Sequence, residues 1–199
     1  MRNWNQDTAF GPVVLCCAVL VSKLKVQALG HLNWTIESII AGITKADTDA
    51  LKIITVASLG KILSEMSGFV SPHLPMILTA LSQFSLKNDS ELERRVGICI
   101  KELGSFPSRV LLPEVANVYS TLETGSVVTL LAIVEKHIDN LEKGAAVRQQ
   151  SVFQEFFLRA LAFREEHPLV EDAAVSEIEA ATCNAMVQLA LRLPEASLR

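Results

Sequence analysis

Four histidines, four cysteines and a few acidic residues set beside arginines are the side chains here with a capacity for chemistry, and their spacing decides what they can do. His31, His73, His137 and His167 lie far apart, in none of the HxxxH, HExxH or Cys–His spacings that hold zinc. His31 and His73 fall where turns between helices are expected, a place for capping or solvent contact. Cys16, Cys17, Cys99 and Cys183 form no CxxC pair and no disulfide framework. They read as buried small hydrophobes in a reducing compartment. Glu93, Glu165 and Glu166 stand among Arg94, Arg95 and Arg164, the pattern of solvated helix faces with neighbouring opposite charges. Glycine-rich phosphate loops and a GxSxG nucleophile elbow are both missing from the sequence. The expectation is therefore no catalytic residue, no cofactor, no metal ligand and no small-molecule substrate: a protein that is not an enzyme.

The partners that composition permits are limited in the same way. A net charge of −4 gives no global field to attract a phosphate backbone. Basic residues gather only at Lys23 and Lys25, at Arg94 and Arg95, and between Lys143 and Arg148, each time mixed with apolar or acidic neighbours. These read as exposed helix faces, leaving local RNA contact as the most that is expected. The apolar run from Phe10 to Val21 is too short to cross a bilayer; as a signal peptide it is opposed by Asp7, which stands between Arg2 and the run, and by the lack of a small-residue cleavage site after it. It reads as a buried helix, and no membrane partner is expected. Half of the 199 residues are hydrophobic and only 20% are charged, which suits stacked helices and opposes disorder.

The elements that must carry these residues announce themselves through punctuation. Gly30, Gly68, Gly104 and Gly144 each follow an apolar stretch, spaced 38, 36 and 40 residues apart. Glycine tolerates the left-handed conformation that ends helices, so each marks an expected C-cap and turn. Ser71-Pro72 and Pro107-Ser108 open further helices, since proline's missing N–H is harmless in a first turn. Asp47-Thr48-Asp49 and Asn88-Asp89-Ser90 supply polar starts, and Ser90 with Glu93 fits a capping box. Helix pairs are expected at 12–43, 47–83, 89–122 and 125–166, with an unpaired helix at 170–192. Two helices per unit of about 40 residues is the HEAT or armadillo period. The expected fold is all-α: a HEAT-type α-solenoid of about nine helices, a right-handed superhelix of antiparallel pairs. Residues 1–199 read as one segment cut from a longer array, because no polar cap closes the end near Leu191–Arg199.

Val152, Phe153, Phe156, Phe157, Ala160, Leu161 and Phe163 recur at three- and four-residue spacing and build one wide apolar stripe. Inter-repeat core is the expected use. The sharper reading makes Phe153, Phe156 and Phe157 a partner-binding groove.

Three stretches resemble one family. Phe69-Val70-Ser71-Pro72-His73-Leu74-Pro75 looks like the phenylalanine–hydrophobic–serine–proline–x–leucine–proline turn of the very large HEAT-repeat proteins of the small-subunit processome, the U-three-associated protein ten family. Pro107-Ser108-Arg109-Val110-Leu111-Leu112-Pro113 is similar to the family's next turn. The run from Gln154 through Phe156, Phe157, Leu161, Phe163 and Arg164 to His167 resembles a later helix, and the three matches keep the family's order. The resemblance implies the C-terminal region of a much longer chain, resident in the nucleus and nucleolus. It implies a scaffold that holds processome proteins, touches pre-rRNA or small nucleolar RNA locally or indirectly, and supports 18S rRNA processing and rRNA transcription. The alternative is a HEAT adaptor of nuclear transport or of kinase or phosphatase regulation. The transport version is weakened because only Trp4 and Trp34 are available for tryptophan–asparagine ladders.

Overall fold

A computed structural model describes residues 9–84, 90–119, 121, 127–142 and 144–193, and all regular structure among them is helical. The helices are α1 (Phe10–Leu24), α2 (Leu29–Lys45), α3 (Asp49–Val70), α4 (Leu74–Leu81), α5 (Glu91–Gly104), α6 (Ser108–Tyr119), α7 (Val127–Asn140), α8 (Ala145–Arg148), α9 (Gln150–Leu161), α10 (Phe163–Glu166) and α11 (Asp172–Arg192). Nine of these run eight residues or more among the described residues, and α8 and α10 are single turns. The stretch 125–166, read from sequence as one pair, thus contains α7, α8, α9 and α10. The described residues gather into two compact units. The first holds α1 to α4 with most of α5; the second holds 82–84 and everything from Leu103 onward.

The starts of the helices follow the polar signals. Thr48 Oγ1 accepts from the Leu51 N–H at 3.4 Å, so α3 begins capped. Ser90 Oγ does the same for the Glu93 N–H at 3.2 Å. Pro107 offers its carbonyl to the amides of Val110 and Leu111 at 2.9 and 3.0 Å, opening α6. The Ser71-Pro72 start is a short 3-10 turn, Ser71–His73, with no side-chain cap.

The ends correct the expectation placed on glycine. Of Gly30, Gly68, Gly104 and Gly144, only Gly144 takes the left-handed conformation, at φ 88°, where it precedes α8. Lys25, at φ 49°, terminates α1, and Gly30 lies within the first turn of α2. Gly68 sits in the last turn of α3, just beyond the non-helical Met66. Gly104 closes α5 for a steric reason. A Cβ there would stand 2.9 Å from Lys136 Cγ, 3.0 Å from the Lys136 carbonyl carbon and 3.1 Å from the His137 nitrogen. Bare backbone is what lets the end of α5 meet α7.

Each unit has its own core. In the first, α3 packs on both α1 and α2, and α4 packs on α2. Ile36, Ile39, Leu59, Ile62, Leu63, Leu74, Ile77 and Leu78 are sealed between them. In the second, α7 packs on α6 and α11, and α9 packs on α11. Arg164 holds the start of α11 by forking onto Glu179 at 2.8 and 2.9 Å and reaching Asp172 at 3.0 Å. Both partners raise the guanidinium's already high pKa, and Arg164 holds Glu179 below the usual carboxylate value. Two thiols depart from the expectation of burial: Cys99 is enclosed, whereas Cys16 and Cys183 are exposed. Burial pushes the Cys99 thiol up to about 12, so it stays protonated, with Val56 O as its acceptor at 3.5 Å.

His137 is a buried pin. Its Nδ1 lies 3.0 Å from the Gly104 carbonyl and its Nε2 lies 2.8 Å from Ser108 Oγ. A carbonyl only accepts, so Nδ1 carries the proton, and Nε2 of the neutral ring accepts from the serine hydroxyl. The ring thereby joins α7 to the end of α5 and the start of α6. Burial lowers its pKa below 6.5, partly opposed by the Gly104 bond. The folded ring resists a proton that the unfolded ring takes at its ordinary value. Its contribution to stability is therefore full above about pH 6.5 and is lost as pH falls from there through the folded value. The denaturant midpoint should drop between neutral pH and about pH 5, and the drop should shrink in His137→Gln. Equal drops in the two proteins would remove this role. At the same junction, Gly104→Ala should cost about 1–3 kcal/mol in denaturant unfolding, because the neighbour it meets is backbone.

Candidate interaction surface

The aromatic stripe predicted from spacing becomes α9 and α10, and the helix divides it sharply between inside and outside. Phe153, Phe156, Phe157, Ala160 and Phe163 are buried, while Val152, Leu158 and Leu161 face out. The rings form a connected cluster. Phe153 stacks on Phe157 at 6.2 Å, and Phe156 meets Phe157 edge-on at 5.6 Å. Tyr119 of α6 approaches Phe156 edge-on at 5.5 Å, and the His137 ring lies 6.2 Å from Phe153. Such contacts add to what burial alone contributes. The Tyr119 hydroxyl is enclosed with no hydrogen-bond partner among the described residues, and burial pushes its pKa up to about 12.

Phe153 and Phe156 thus present no ring face to a partner; the packing of α6, α7 and α9 consumes them. Phe157 differs, because its edge forms the floor of an open groove of about 290 Å³ between α9 and α11. Leu158 and Leu161 form one wall of this groove, Met186, Leu189, Ala190 and Leu193 form the other, and Gln150 and Gln154 close one edge. Leu158 is 62% exposed on that wall. None of the lining side chains is charged, so nothing there can bind an ion, shift a carboxylate or move a proton. Its chemistry is that of an apolar helix surface. The sequence holds a signal for Leu158 too: Gln154, Leu158 and Leu161 follow at four- and three-residue spacing, a line on α9 beside the buried rings.

Elsewhere among the described residues, no group of three or more His, Cys, Asp or Glu side chains is placed to hold a metal ion. Glu91 pairs with Arg94 and Arg95 along α5, and Glu65 with Lys61 along α3. Their carboxyls are lowered mainly by hydrogen bonds to those partners on the solvated face, Arg95 and Lys61 respectively. These acids act as surface partners.

Similarity to known proteins agrees with the repeat reading. The chain is 23% identical over 212 residues to HEAT repeat-containing protein 1 of Danio rerio, and 24% identical over 207 residues to HEAT repeat-containing protein 1 of Homo sapiens. Each similarity takes in 98% of this chain but only 10% of the relative, so the chain spans about a tenth of the length of these curated relatives. No family profile and no solved structure matches.

The core assignment of the stripe is open to direct measurement. Phe156→Ala should destabilise the protein by about 3–5 kcal/mol through lost burial and the cavity left behind. That is a large share of the roughly 5–15 kcal/mol that holds a domain together. Leu158→Ala should stay within about 0.5 kcal/mol of the parent. A Phe156→Ala melt indistinguishable from the parent's would take this ring out of the core.

Proposed function

We propose that this chain, similar over nearly its whole length to HEAT repeat-containing protein 1, is a non-catalytic helical scaffold of ribosome biogenesis. Its helix pairs present surfaces to processome proteins in the nucleolus, in support of 18S rRNA processing and rRNA transcription. The observation that carries this reading is the agreement between motif order and extent of similarity. The Phe69–Pro75 turn, the Pro107–Pro113 turn and the Gln154–His167 helix resemble successive elements of the family, and the similarity to HEAT repeat-containing protein 1 takes in 98% of the chain. A surface of the right kind accompanies it, since the α9–α11 groove suits an apolar helix and offers nothing to a small polar substrate. With a net charge of −4, protein partners take precedence over RNA, and any RNA contact is local.

The test is to express the tagged chain in cells, locate it, and identify what copurifies after nuclease treatment. The expected result is nucleolar signal and recovery of small-subunit precursor proteins that survives nuclease digestion. Recovery of transport factors or of kinase or phosphatase subunits, with no nucleolar signal, would transfer the chain to a different HEAT adaptor system.

A further inference from the structure

One face of α2 gathers aromatic, acidic and basic groups into a single pit. Trp34, Glu37, Ser38, Ala41 and Lys45 follow one another at three- and four-residue spacing, so they stand in one line along the helix. With Phe10 from the start of α1 and Leu51 from the start of α3, they line an open hollow of about 190 Å³. Gly42 keeps Phe10 close. A Cβ there would stand 2.5 Å from Thr55 Cγ2 and 3.0 Å from Phe10 Cε1, so bare backbone is what admits the Phe10 ring beside α2. Trp34, at one end of the line, is 54% exposed.

Two charges of opposite sign stand in this line without a counter-ion. Among the described residues, neither Glu37 nor Lys45 has an ion-pair partner, whereas Glu65 has Lys61 and Lys25, and Glu91 has Arg94 and Arg95. Glu37 is held from its own helix: Asn33 Nδ2 donates to Glu37 Oε1 at 2.9 Å, which orients the carboxylate without neutralising it. Eight residues separate Glu37 from Lys45, about 12 Å along the helix at 1.5 Å per residue. That exceeds the screening length of about 8 Å at physiological salt, so each charge governs its own end of the pit. The Trp34 end attracts a cation, and the Lys45 end an anion. An indole one turn from a carboxylate suits a guanidinium best, because its plane stacks on the ring while its N–H groups donate to the acid. The geometry points to an arginine-bearing segment of a partner protein as the occupant, with the guanidinium on Trp34 and Glu37 and an acidic side chain about 12 Å away on Lys45. The scaffold reading supplies only the class of ligand, a protein; the order of the charges comes from α2. Single-stranded RNA also stacks on indoles, but here its phosphates would meet the Glu37 carboxylate.

The test uses the purified chain with Trp4→Phe, so that Trp34 is the one indole followed by NMR. The probe is a capped tetrapeptide of arginine, two alanines and glutamate. Extended, its charged residues lie about 10 Å apart before their side chains reach out. It should shift the Trp34 indole N–H signal in a saturable way. Replacing the peptide's arginine by glutamine, or Glu37→Gln in the chain, should weaken binding by at least about tenfold. Lys45→Glu should reverse the preference at the far end, so that a peptide ending in lysine binds more tightly than one ending in glutamate. Glu37 and Lys45 are both exposed, and circular dichroism melts verify that the variants keep the fold. An indole signal unmoved by the peptide, equal binding of the arginine and glutamine peptides, or an unchanged preference in Lys45→Glu would each overturn the proposal. So would tighter binding of tetrauridylate than of the peptide, strengthened by Glu37→Gln. These outcomes are read on the isolated chain, apart from whether nucleolar proteins copurify with it in cells.

Discussion

A helix that carries apolar side chains around most of its circumference cannot be satisfied by one neighbour. This constraint organises both units. α3 buries Val56, Leu59, Ile62 and Leu63, and it meets α1 and α2 together. α7 buries Leu130, Leu131, Ile133, Val134 and Ile138 and is held between α6 and α11. Helix-on-helix layers bury this surface while most backbone N–H and C=O groups of a helix pair within it. Charged residues are then left to the outward faces and the ends of elements. There Arg164, Glu179 and Asp172 orient α11, and Glu91 braces α5 with its neighbouring arginines.

Much of this was legible in the residues. Thr48, Ser90 and Pro107 named the starts of α3, α5 and α6, because capping oxygens and proline act locally and need no knowledge of the rest of the fold. The ends were less legible. A glycine after an apolar stretch reads as a left-handed cap at four places, but three of those glycines are helical or close a helix, and a lysine makes the turn after α1. Gly104 is required by the backbone of α7 passing beside it, a relation across 32 residues that no local pattern carries.

The candidate surface shows the same division. Spacing identified the stripe of α9 but assigned Phe153, Phe156 and Phe157 two alternative uses, since core and groove share one periodicity. Tertiary neighbours decide between them: Tyr119 and His137 reach Phe156 and Phe153, while Phe157 reaches the groove floor. His137 was likewise ambiguous by itself. Its neighbours on α7, Val134 and Ile138, placed it on the buried side, but its partners Gly104 and Ser108 come from other helices.

Nearest-neighbour packing also shapes how the chain acquires its structure. The side-chain bonds that tie separate elements together span modest distances along the sequence: Cys99 to Val56 across 43 residues, Thr129 to Phe84 across 45, Arg192 to Leu141 across 51. Loops of this length cost little entropy to close, and chains dominated by local contacts fold rapidly. A layer can consolidate once the next has been synthesised, without waiting for a distant partner. In a helical-repeat chain each layer depends chiefly on its neighbours, an arrangement that suits layer-by-layer folding.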